Sequence, residues 1–194
     1  IKKFTYWIDL EKFKKISDAK NKLGWREGFV VLFVGRLVVE KGVELLLESV
    51  KSWNKKISLK IIGNGPLESK IRKATSKFPD VDFIGGVDSN NLPLYYSGAD
   101  LLVVPSIHEE GFGRVILEAL ACGTPIIGSR RGAIGEAMDK TVGKIIDINP
   151  ENIRQAVEYF YTRRDELKKL ARNCRKFAER RYSEKNAEAI IKLY

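Results

Sequence analysis

Residues 101–125 read LLVVPSIHEEGFGRVILEALACGTP, and this stretch decides the fold. Its first four residues, Leu101–Val104, are all apolar and precede Pro105, which predicts a short strand buried on both faces of a parallel sheet. After a loop with two glycines, residues 114–122 have the pattern of an apolar helix, and Gly123 with Pro125 marks its end. The stretch therefore predicts a strand, a glycine-containing loop and a helix, which together are the repeating unit of an α/β fold.

Glu118 is the only acidic residue in that apolar helix, and a carboxylate in such a setting needs a partner or a ligand. A salt bridge to a neighbouring Arg or Lys is one explanation. The preceding loop favours a ligand, because Gly111 and Gly113 leave backbone N–H groups free near a helix N-terminus, where an anion can bind. Glu110 precedes Glu118 by eight residues, so the two carboxylates can accept hydrogen bonds from hydroxyls while the amides between them bind a phosphate. A sugar nucleotide presents that combination of groups.

Strand and helix patterns alternate about six times along the chain. Apolar runs predict strands at 29–34, 57–62, 81–84, 101–104, 126–128 and, more weakly, 142–146. Helices are predicted before residue 26, at 42–53, from Pro66, at 92–98 and at 114–122, followed by two basic amphipathic helices from Pro150. With right-handed crossovers this predicts a doubly wound, Rossmann-like, three-layer α/β/α fold with a parallel sheet. We expect residues 1–194 to form one domain, with its carboxyl-terminal helices at about 150–194.

Glycine turns at 35, 63 and 85 and the loop at 111 all follow predicted strands, so we expect them at the carboxyl edge of the sheet, where ligands of open α/β sheets bind. Arg36 and Lys41 follow the first strand and are candidates for binding a diphosphate. Pairing of these cations with Glu40 or Glu44 at a helix start is an equal alternative.

Three known phosphate-binding sequence motifs can be rejected, two because their spacing is absent and one because of its position. Residues 35–42 lack the spacing of a P-loop, and Glu68 stands where a dinucleotide fingerprint needs its third glycine. Asp80-Val81-Asp82 has the Asp-x-Asp spelling of a metal–diphosphate site, but it falls at the amino end of its strand. It therefore lies at the wrong edge of the predicted sheet to join the other loops.

Composition is that of a soluble globular protein, with 194 residues, 44% hydrophobic and 31% charged. No apolar run has the length of a membrane span and the first residues lack the features of a signal peptide, so we expect a cytoplasmic protein, with membrane association left open. Cys122 and Cys174 have no further ligand at metal spacing and are expected to be inert thiols. The net charge of +10 favours an anionic partner. For the basic faces of the last helices, a solvated surface is favoured over nucleic acid, because no aromatic residues interleave the cations.

Together these elements resemble a known family, the retaining glycosyltransferases of family 4, which have the GT-B fold and are similar to glycogen and starch synthases. The matching motifs occur in family order from about residue 5 to the end of the chain. They are Val34-Gly35-Arg36-Leu37 with Lys41-Gly42, Gly63-Asn64-Gly65-Pro66-Leu67, Phe83-Ile84-Gly85, Tyr96-Ser97-Gly98-Ala99-Asp100, Pro105-Ser106, and Glu110 to Glu118 running into residues 119–125.

The resemblance implies a donor site and roles for its residues. The implied donor-binding residues are Gly35, Arg36, Lys41, Gly63, Val87, Glu110, Gly111, Phe112, Gly113, Arg114 and Glu118. Arg36 and Lys41 would bind the diphosphate and stabilise the charge that develops on it, and with Glu110, which would contact the transferred sugar, they are the implied catalytic residues. Glu118 would bind the ribose hydroxyls and Val87 would line the base pocket. No metal or other cofactor is implied.

The amides of Phe112, Gly113 and Arg114 would bind the sugar and phosphate of the donor. The implied reaction is retaining transfer of a hexosyl group from a UDP-, GDP- or ADP-hexose to a sugar, polysaccharide or lipid-linked acceptor. Family enzymes also have an amino-terminal acceptor-binding domain, which this chain lacks, so the chain alone should bind donor without efficient turnover.

The chain departs from the family at Tyr6-Trp7-Ile8-Asp9, where the family has Asn-Gly-Val-Asp, and at Gly132-Ala133, where it has two glycines. These differences concern the hinge and the sugar side of the site. Two other functions remain open: a GT-B sugar-nucleotide epimerase, against which the Glu-x₇-Glu spacing argues, and a basic nucleic-acid-binding module.

Overall fold

The computed structural model describes residues 6–25, 28–54, 56–109, 111 and 113–187. Six strands in these residues form one parallel sheet in the order β3-β2-β1-β4-β5-β6. The strands are β1 Phe29–Val34, β2 Ile57–Ile62, β3 Val81–Gly85, β4 Leu101–Val104, β5 Ile126–Ser129 and β6 Gly143–Ile146. The predicted parallel α/β sheet is confirmed, and its strand order reverses direction between β1 and β4.

The central strands are apolar along their whole length because helices cover both faces of the sheet. β1 pairs with β2 in register from Phe29 opposite Ile57 to Val34 opposite Ile62, and on its other side with Leu101 and Leu102 of β4. Successive residues alternate between the two faces, so that Leu32 and Val31 belong to different apolar layers.

Eight α-helices surround the sheet in the described residues. They are α1 Ala19–Lys22, α2 Val43–Val50, α3 Glu68–Thr75, α4 Leu92–Gly98, α5 Arg114–Ala121, α6 Ile134–Ala137, α7 Pro150–Thr162 and α8 Arg164–Tyr182. The layer on one face contains α4, α5 and α6, and the layer on the other contains α2, α3 and α7. The domain therefore has the predicted three layers. In the part of the chain that the structure describes, no helix is long and apolar enough to cross a membrane.

The longest helix, α8, packs against both layers. Leu167 and Leu170 near its start join the layer of α2 and α7, whereas Cys174, Phe177 and Tyr182 join the layer of α5. Its hydrophobic stripe was predicted from the sequence, but its contact with both layers was not.

The helix predicted at 42–53 is observed as α2, which starts one residue later and ends three residues earlier. A 3₁₀ turn, Val39–Lys41, precedes it, and Gly42 between the two has a left-handed φ of 66°. Pro66 does not begin a helix: α3 starts at Glu68 after a cap at Leu67, whose N–H donates to the carbonyl of Leu37 at 3.0 Å. The other helices and strands agree with the prediction within a few residues at each end.

We expect Gly42→Ala to destabilise the protein more than Gly24→Ala. The two glycines have similar φ values, 66° and 63°, so each substitution carries the left-handed penalty of about 1–2 kcal/mol. A Cβ at Gly42 would also lie 1.9 Å from the carbonyl oxygen of Pro105, whereas nothing lies within 4 Å of one at Gly24. Relieving that overlap costs roughly a further 1–3 kcal/mol. Denaturant unfolding of both variants measures the difference, and equal losses would show that the loops can separate freely.

Candidate functional site

A crevice of about 560 Å³ opens at the carboxyl edge of the sheet, between the ends of β1 and β4. Its described walls come from the ends of these two strands, the 3₁₀ turn, α4 and the first turn and a half of α5. The residues are Phe33, Val34, Gly35, Arg36, Lys41, Leu92, Val104, Pro105, Ser106, Gly113, Arg114, Val115 and Glu118. This is the point at which the strand order reverses, the usual place for a ligand in an open α/β sheet.

A smaller hollow of about 280 Å³ shares Arg36 and Lys41 with the crevice and extends towards His108 and Glu109. Arg36 and Lys41 therefore line two neighbouring spaces. This arrangement suits a ligand with an anionic centre and a group on either side of it.

Arg36 is placed by the backbone around it. It follows Gly35, and the next residue, Leu37, is fully buried. The Leu37 N–H donates to the carbonyl of Asn64 at 2.8 Å, which ties this loop to the turn after β2. The loop is thus fixed on both sides of Arg36, while its guanidinium lines the crevice.

Lys41 ends the 3₁₀ turn, and the following glycine brings that turn against the loop after β4. The Ile107 N–H donates to the carbonyl of Glu40 at 2.9 Å, which joins the two loops. Glu44, one of the acids proposed as an alternative partner for these cations, pairs with Lys70 on α3. Glu44 thus has a partner on α3, outside the crevice.

Glu118 lies in the wall formed by α5, with its side chain 8% exposed. Its Oε2 accepts a hydrogen bond of 2.8 Å from the hydroxyl of Tyr96, and its Oε1 lies 3.9 Å from the guanidinium of Arg114, which is largely exposed. Burial raises the pKa of Glu118, and the Tyr96 hydrogen bond and the charges of Arg114 and Lys12 partly oppose this. The main partner is thus a buried phenol rather than the salt bridge considered from the sequence.

Sequence reasoning gave no role to Tyr96, although the residue begins one of the recognised motifs. It is fully buried on α4, and burial, followed by the charge of Glu118, raises its pKa well above the usual value. The phenol therefore stays protonated and acts as a donor. The two residues are 22 positions apart on different helices, so no local pattern could have paired them.

The glycine loop before α5 is described at Gly111 and Gly113. Gly113 has a φ of 63° and caps α5, where a Cβ would lie 3.0 Å from Cδ1 of Ile116. Arg114 is the first residue of α5, so the amino-terminal end of this eight-residue helix lies at the crevice. Gly111 is exposed. Glu110 and Phe112 lie outside the described residues, and their roles stay predictions.

Gly63 and Val87, two of the proposed donor-binding residues, are not among the described residues that line the crevice. A Cβ on Gly63 would lie 1.8 Å from the carbonyl oxygen of Gly35, so this glycine lets the turn after β2 press against the loop that carries Arg36. Val87 is partly buried against the same apolar layer as Leu92, beside the crevice. Direct contact of either residue with a donor stays a prediction.

The remaining candidates for metal or thiol chemistry have structural partners. Asp82 of the Asp-x-Asp sequence pairs with Lys60 on the neighbouring strand. Within the described residues, no group of three or more His, Cys, Asp or Glu side chains could hold a metal ion. Both cysteines are free and buried, and burial followed by the charge of Glu118 raises the pKa of Cys122 to about 12.

The sheet order and the crevice at its reversal point define a Rossmann-like α/β/α domain of the kind that forms the carboxyl-terminal half of GT-B glycosyltransferases. The chain belongs to the glycosyl transferases group 1 family, which it matches over residues 15–181. The resemblance of the sequence motifs to GT-B glycosyltransferases is thereby confirmed.

One similar protein is the GDP-mannose-dependent alpha-(1-6)-phosphatidylinositol monomannoside mannosyltransferase of Mycolicibacterium smegmatis, 29% identical over 72% of this chain and 41% of its own. Among solved structures, sucrose-phosphate synthase from Thermosynechococcus elongatus superposes with a TM-score of 0.91 at 26% identity, covering 97% of this chain and 50% of the other. Anabaena HepE in complex with UDP and glucose superposes with a TM-score of 0.90 at 20% identity, covering 99% and 56%. The chain spans about half the length of the curated relatives it matches.

We expect Glu118→Gln to raise Tm at pH 8 and to leave it almost unchanged at pH 4. The folded-state pKa of this acid is raised, so ionisation costs stability as pH rises through the unfolded value of about 4.5 and the folded value above it. The amide removes that cost while still accepting from Tyr96. Each kcal/mol gained is worth about 2–4 °C in a protein of this size. Exposed Glu48→Gln is the control, and a fall in Tm of Glu118→Gln at pH 8 would contradict the prediction.

Proposed function

We propose that this chain binds a nucleotide-diphospho-sugar, a UDP-, GDP- or ADP-hexose, and forms the donor half of a retaining hexosyltransferase of family 4. The observation that carries the proposal is the convergence of Arg36, Lys41 and Glu118 on one crevice at the reversal point of the sheet. Two cations and a buried carboxylate suit a ligand that has a diphosphate joined to a ribose.

The crevice offers a partner for each part of such a donor. The diphosphate would lie between Arg36, Lys41 and the N–H groups at the start of α5, where the helix dipole also favours an anion. The ribose hydroxyls would donate to Glu118. The base would lie towards Leu92 and Val87, on the partly buried apolar side.

In the proposed reaction the bond between the sugar C1 and the diphosphate oxygen breaks, and its electron pair stays on the diphosphate. The acceptor hydroxyl oxygen forms the new bond to C1, and its proton leaves with the departing phosphate. Arg36 and Lys41 would stabilise the negative charge that develops on the leaving group, the largest electrostatic demand of this step. With two fixed cations in that position no metal ion is required, and Glu110 remains the candidate for holding the sugar.

Similar proteins support this class of donor but use different bases. The mycolicibacterial relative is named as GDP-mannose-dependent, and HepE was solved with UDP. Because those relatives are about twice the length of this chain, transfer to a sugar, polysaccharide or lipid-linked acceptor would need the amino-terminal half. We propose that this chain alone binds donor without efficient turnover, in the cytoplasm and near a membrane if its acceptor is a lipid.

The alternative of a basic nucleic-acid-binding module is less well supported, because several basic side chains make contacts within the fold. Arg175 donates to the carbonyls of Leu10, Phe13 and Ala121, at 2.8–3.3 Å. Arg164 stacks over the ring of Phe29, its guanidinium carbon 4.2 Å from the ring centre. Part of the positive charge thus stabilises the fold. A GT-B epimerase would share the crevice, and the absence of sugar transfer from an otherwise complete protein would favour it.

Titration calorimetry of the chain with UDP, GDP and ADP and with their glucose or mannose conjugates tests the proposal. We expect one of these nucleotides to bind at one site. Arg36→Ala should weaken it about 10- to 100-fold, because a charge-assisted hydrogen bond contributes about 1.5–3 kcal/mol. Arg172→Ala, which removes an exposed cation of α8, is the matched control and should leave the affinity unchanged.

Two results would contradict the donor site. One is an equal loss of nucleotide affinity in Arg36→Ala and Arg172→Ala, and the other is binding that shows no preference among nucleotides and disappears at high salt. The second result would point to the nucleic-acid alternative, since counterion release makes that binding steeply salt-dependent.

A further inference from the structure

The hydroxyl of Tyr96 is held rigidly beside the crevice. The side chain is fully buried on α4, with its ring centre 6.5 Å from that of Phe13. The backbone carbonyl of Tyr96 accepts a hydrogen bond of 2.7 Å from the hydroxyl of Thr124, beyond the end of α5. Ring and backbone thus both have packing partners, and the hydroxyl donates to Glu118.

This contact divides the work of the Glu118 carboxylate. Oε2 accepts a hydrogen bond from the Tyr96 hydroxyl at 2.8 Å, whereas Oε1 lies 3.9 Å from the guanidinium of Arg114. Glu118 itself lines the crevice. Tyr96 is not among the described residues that line the crevice. It therefore acts on a ligand only through Glu118.

The hydrogen bond from Tyr96 also affects the ionisation of Glu118. Burial favours the neutral acid, and the Tyr96 donor, Arg114 on the same helix and Lys12 on the amino-terminal segment favour the anion. Other titratable groups around α5 in the described residues include Cys122 just after the helix, Cys174, Arg175 and Tyr182 of α8, and Glu136 of α6. Of these, Arg175 is bonded to backbone carbonyls and Tyr182 to the carbonyl of Ala137. Of all the groups named in this paragraph, only Tyr96 has a hydrogen bond to Glu118 among the described contacts.

We propose that Tyr96 is a positioning residue for donor binding, whose hydroxyl fixes one oxygen of Glu118 and presents the other, ionised, to the ribose hydroxyls of the nucleotide. This inference rests on the proposed function. An ionised carboxylate accepts hydrogen bonds from hydroxyls more strongly than a neutral acid does, and the Tyr96 hydroxyl both favours the anion and fixes the orientation of the carboxylate.

Stability alone does not account for the pair. A phenol and a carboxylate buried together in an apolar layer cost desolvation energy, and apolar residues of the same volume often replace such pairs without loss. Phenylalanine would fill the space of the Tyr96 ring. The hydroxyl therefore matters for what it does to Glu118.

The test compares Tyr96→Phe with Tyr95→Phe. Tyr95 is the adjacent residue of α4, is partly buried and packs its ring 6.0 Å from that of Trp25, so its hydroxyl has no part in the Glu118 contact. Calorimetry would measure the affinity of each 194-residue variant for the nucleoside diphosphate that the unaltered chain binds and for its 2′,3′-dideoxy analogue, between pH 6 and pH 8.

We expect the unaltered chain and Tyr95→Phe to prefer the ribose form by about tenfold or more, equally at each pH. In Tyr96→Phe that preference should shrink several-fold, while affinity for the dideoxy analogue stays the same. Removal of the Tyr96 donor raises the pKa of Glu118 further, so the loss of ribose preference in Tyr96→Phe should be greater at the lower pH values of the series. A merely structural role would weaken both nucleotides together, without this dependence on pH.

A Tyr96→Phe variant with an unchanged ribose preference and a flat pH profile, or with equal losses for both nucleotides, would overturn the inference and leave the donor site standing. Failure of the unaltered chain to bind any nucleoside diphosphate would overturn both. If Tyr96→Phe does not fold, the ¹³C titration of Glu118 in the unaltered chain decides. The carboxyl must be ionised at pH 7, and a protonated Glu118 would overturn the inference.

Discussion

The loops after β1, β2 and β4 touch one another through their backbones, and the crevice depends on this contact. Side chains are missing at the points of closest approach: Gly63 faces the carbonyl of Gly35, Gly65 that of Leu37, and Gly42 that of Pro105. Backbone packed on backbone has no rotamers to change. The cations carried by these loops are therefore held by a rigid support, which keeps the entropic cost of binding a flexible diphosphate low.

The crevice has both basic residues and a buried carboxylate in its walls. Arg36 and Lys41 come from the segment after β1, and Arg114 is the first residue of α5, whereas the Glu118 carboxylate comes from the part of α5 that packs in the apolar layer. Each charge is therefore in a different surrounding, the cations near water and the acid away from it. This separation limits mutual neutralisation, since the nearest guanidinium, that of Arg114, stands 3.9 Å from Glu118 and is mostly in solvent.

Most of the sheet could be predicted because a strand that is buried on both faces has an unbroken run of apolar residues, as in Phe29–Val34 and Leu101–Val104. The positions of Arg36 and Glu118 followed, since residues after parallel strands meet at one edge. Other features depend on contacts between distant parts of the chain. The phenol beside Glu118 belongs to another helix, and the close approach that requires Gly63 appears only when the loops after β1 and β2 are packed. The start of α2 depends on Gly42, whose left-handed φ no periodicity reveals.

The helix α8 packs on both layers, and its residues also hold the beginning of the described chain. The Ile8 N–H donates to the carbonyl of Tyr182 at 2.9 Å, and Arg175 donates to the carbonyls of Leu10 and Phe13. During synthesis on a ribosome the sheet can pair before this helix is made, and Phe13 can already pack against Tyr96 of α4, but the backbone contacts of the amino-terminal segment with α8 form only after residues 164–182 have emerged. Until α8 has formed, the apolar surface of α5 that it covers stays exposed, so the synthesis of this helix also protects the domain from aggregation.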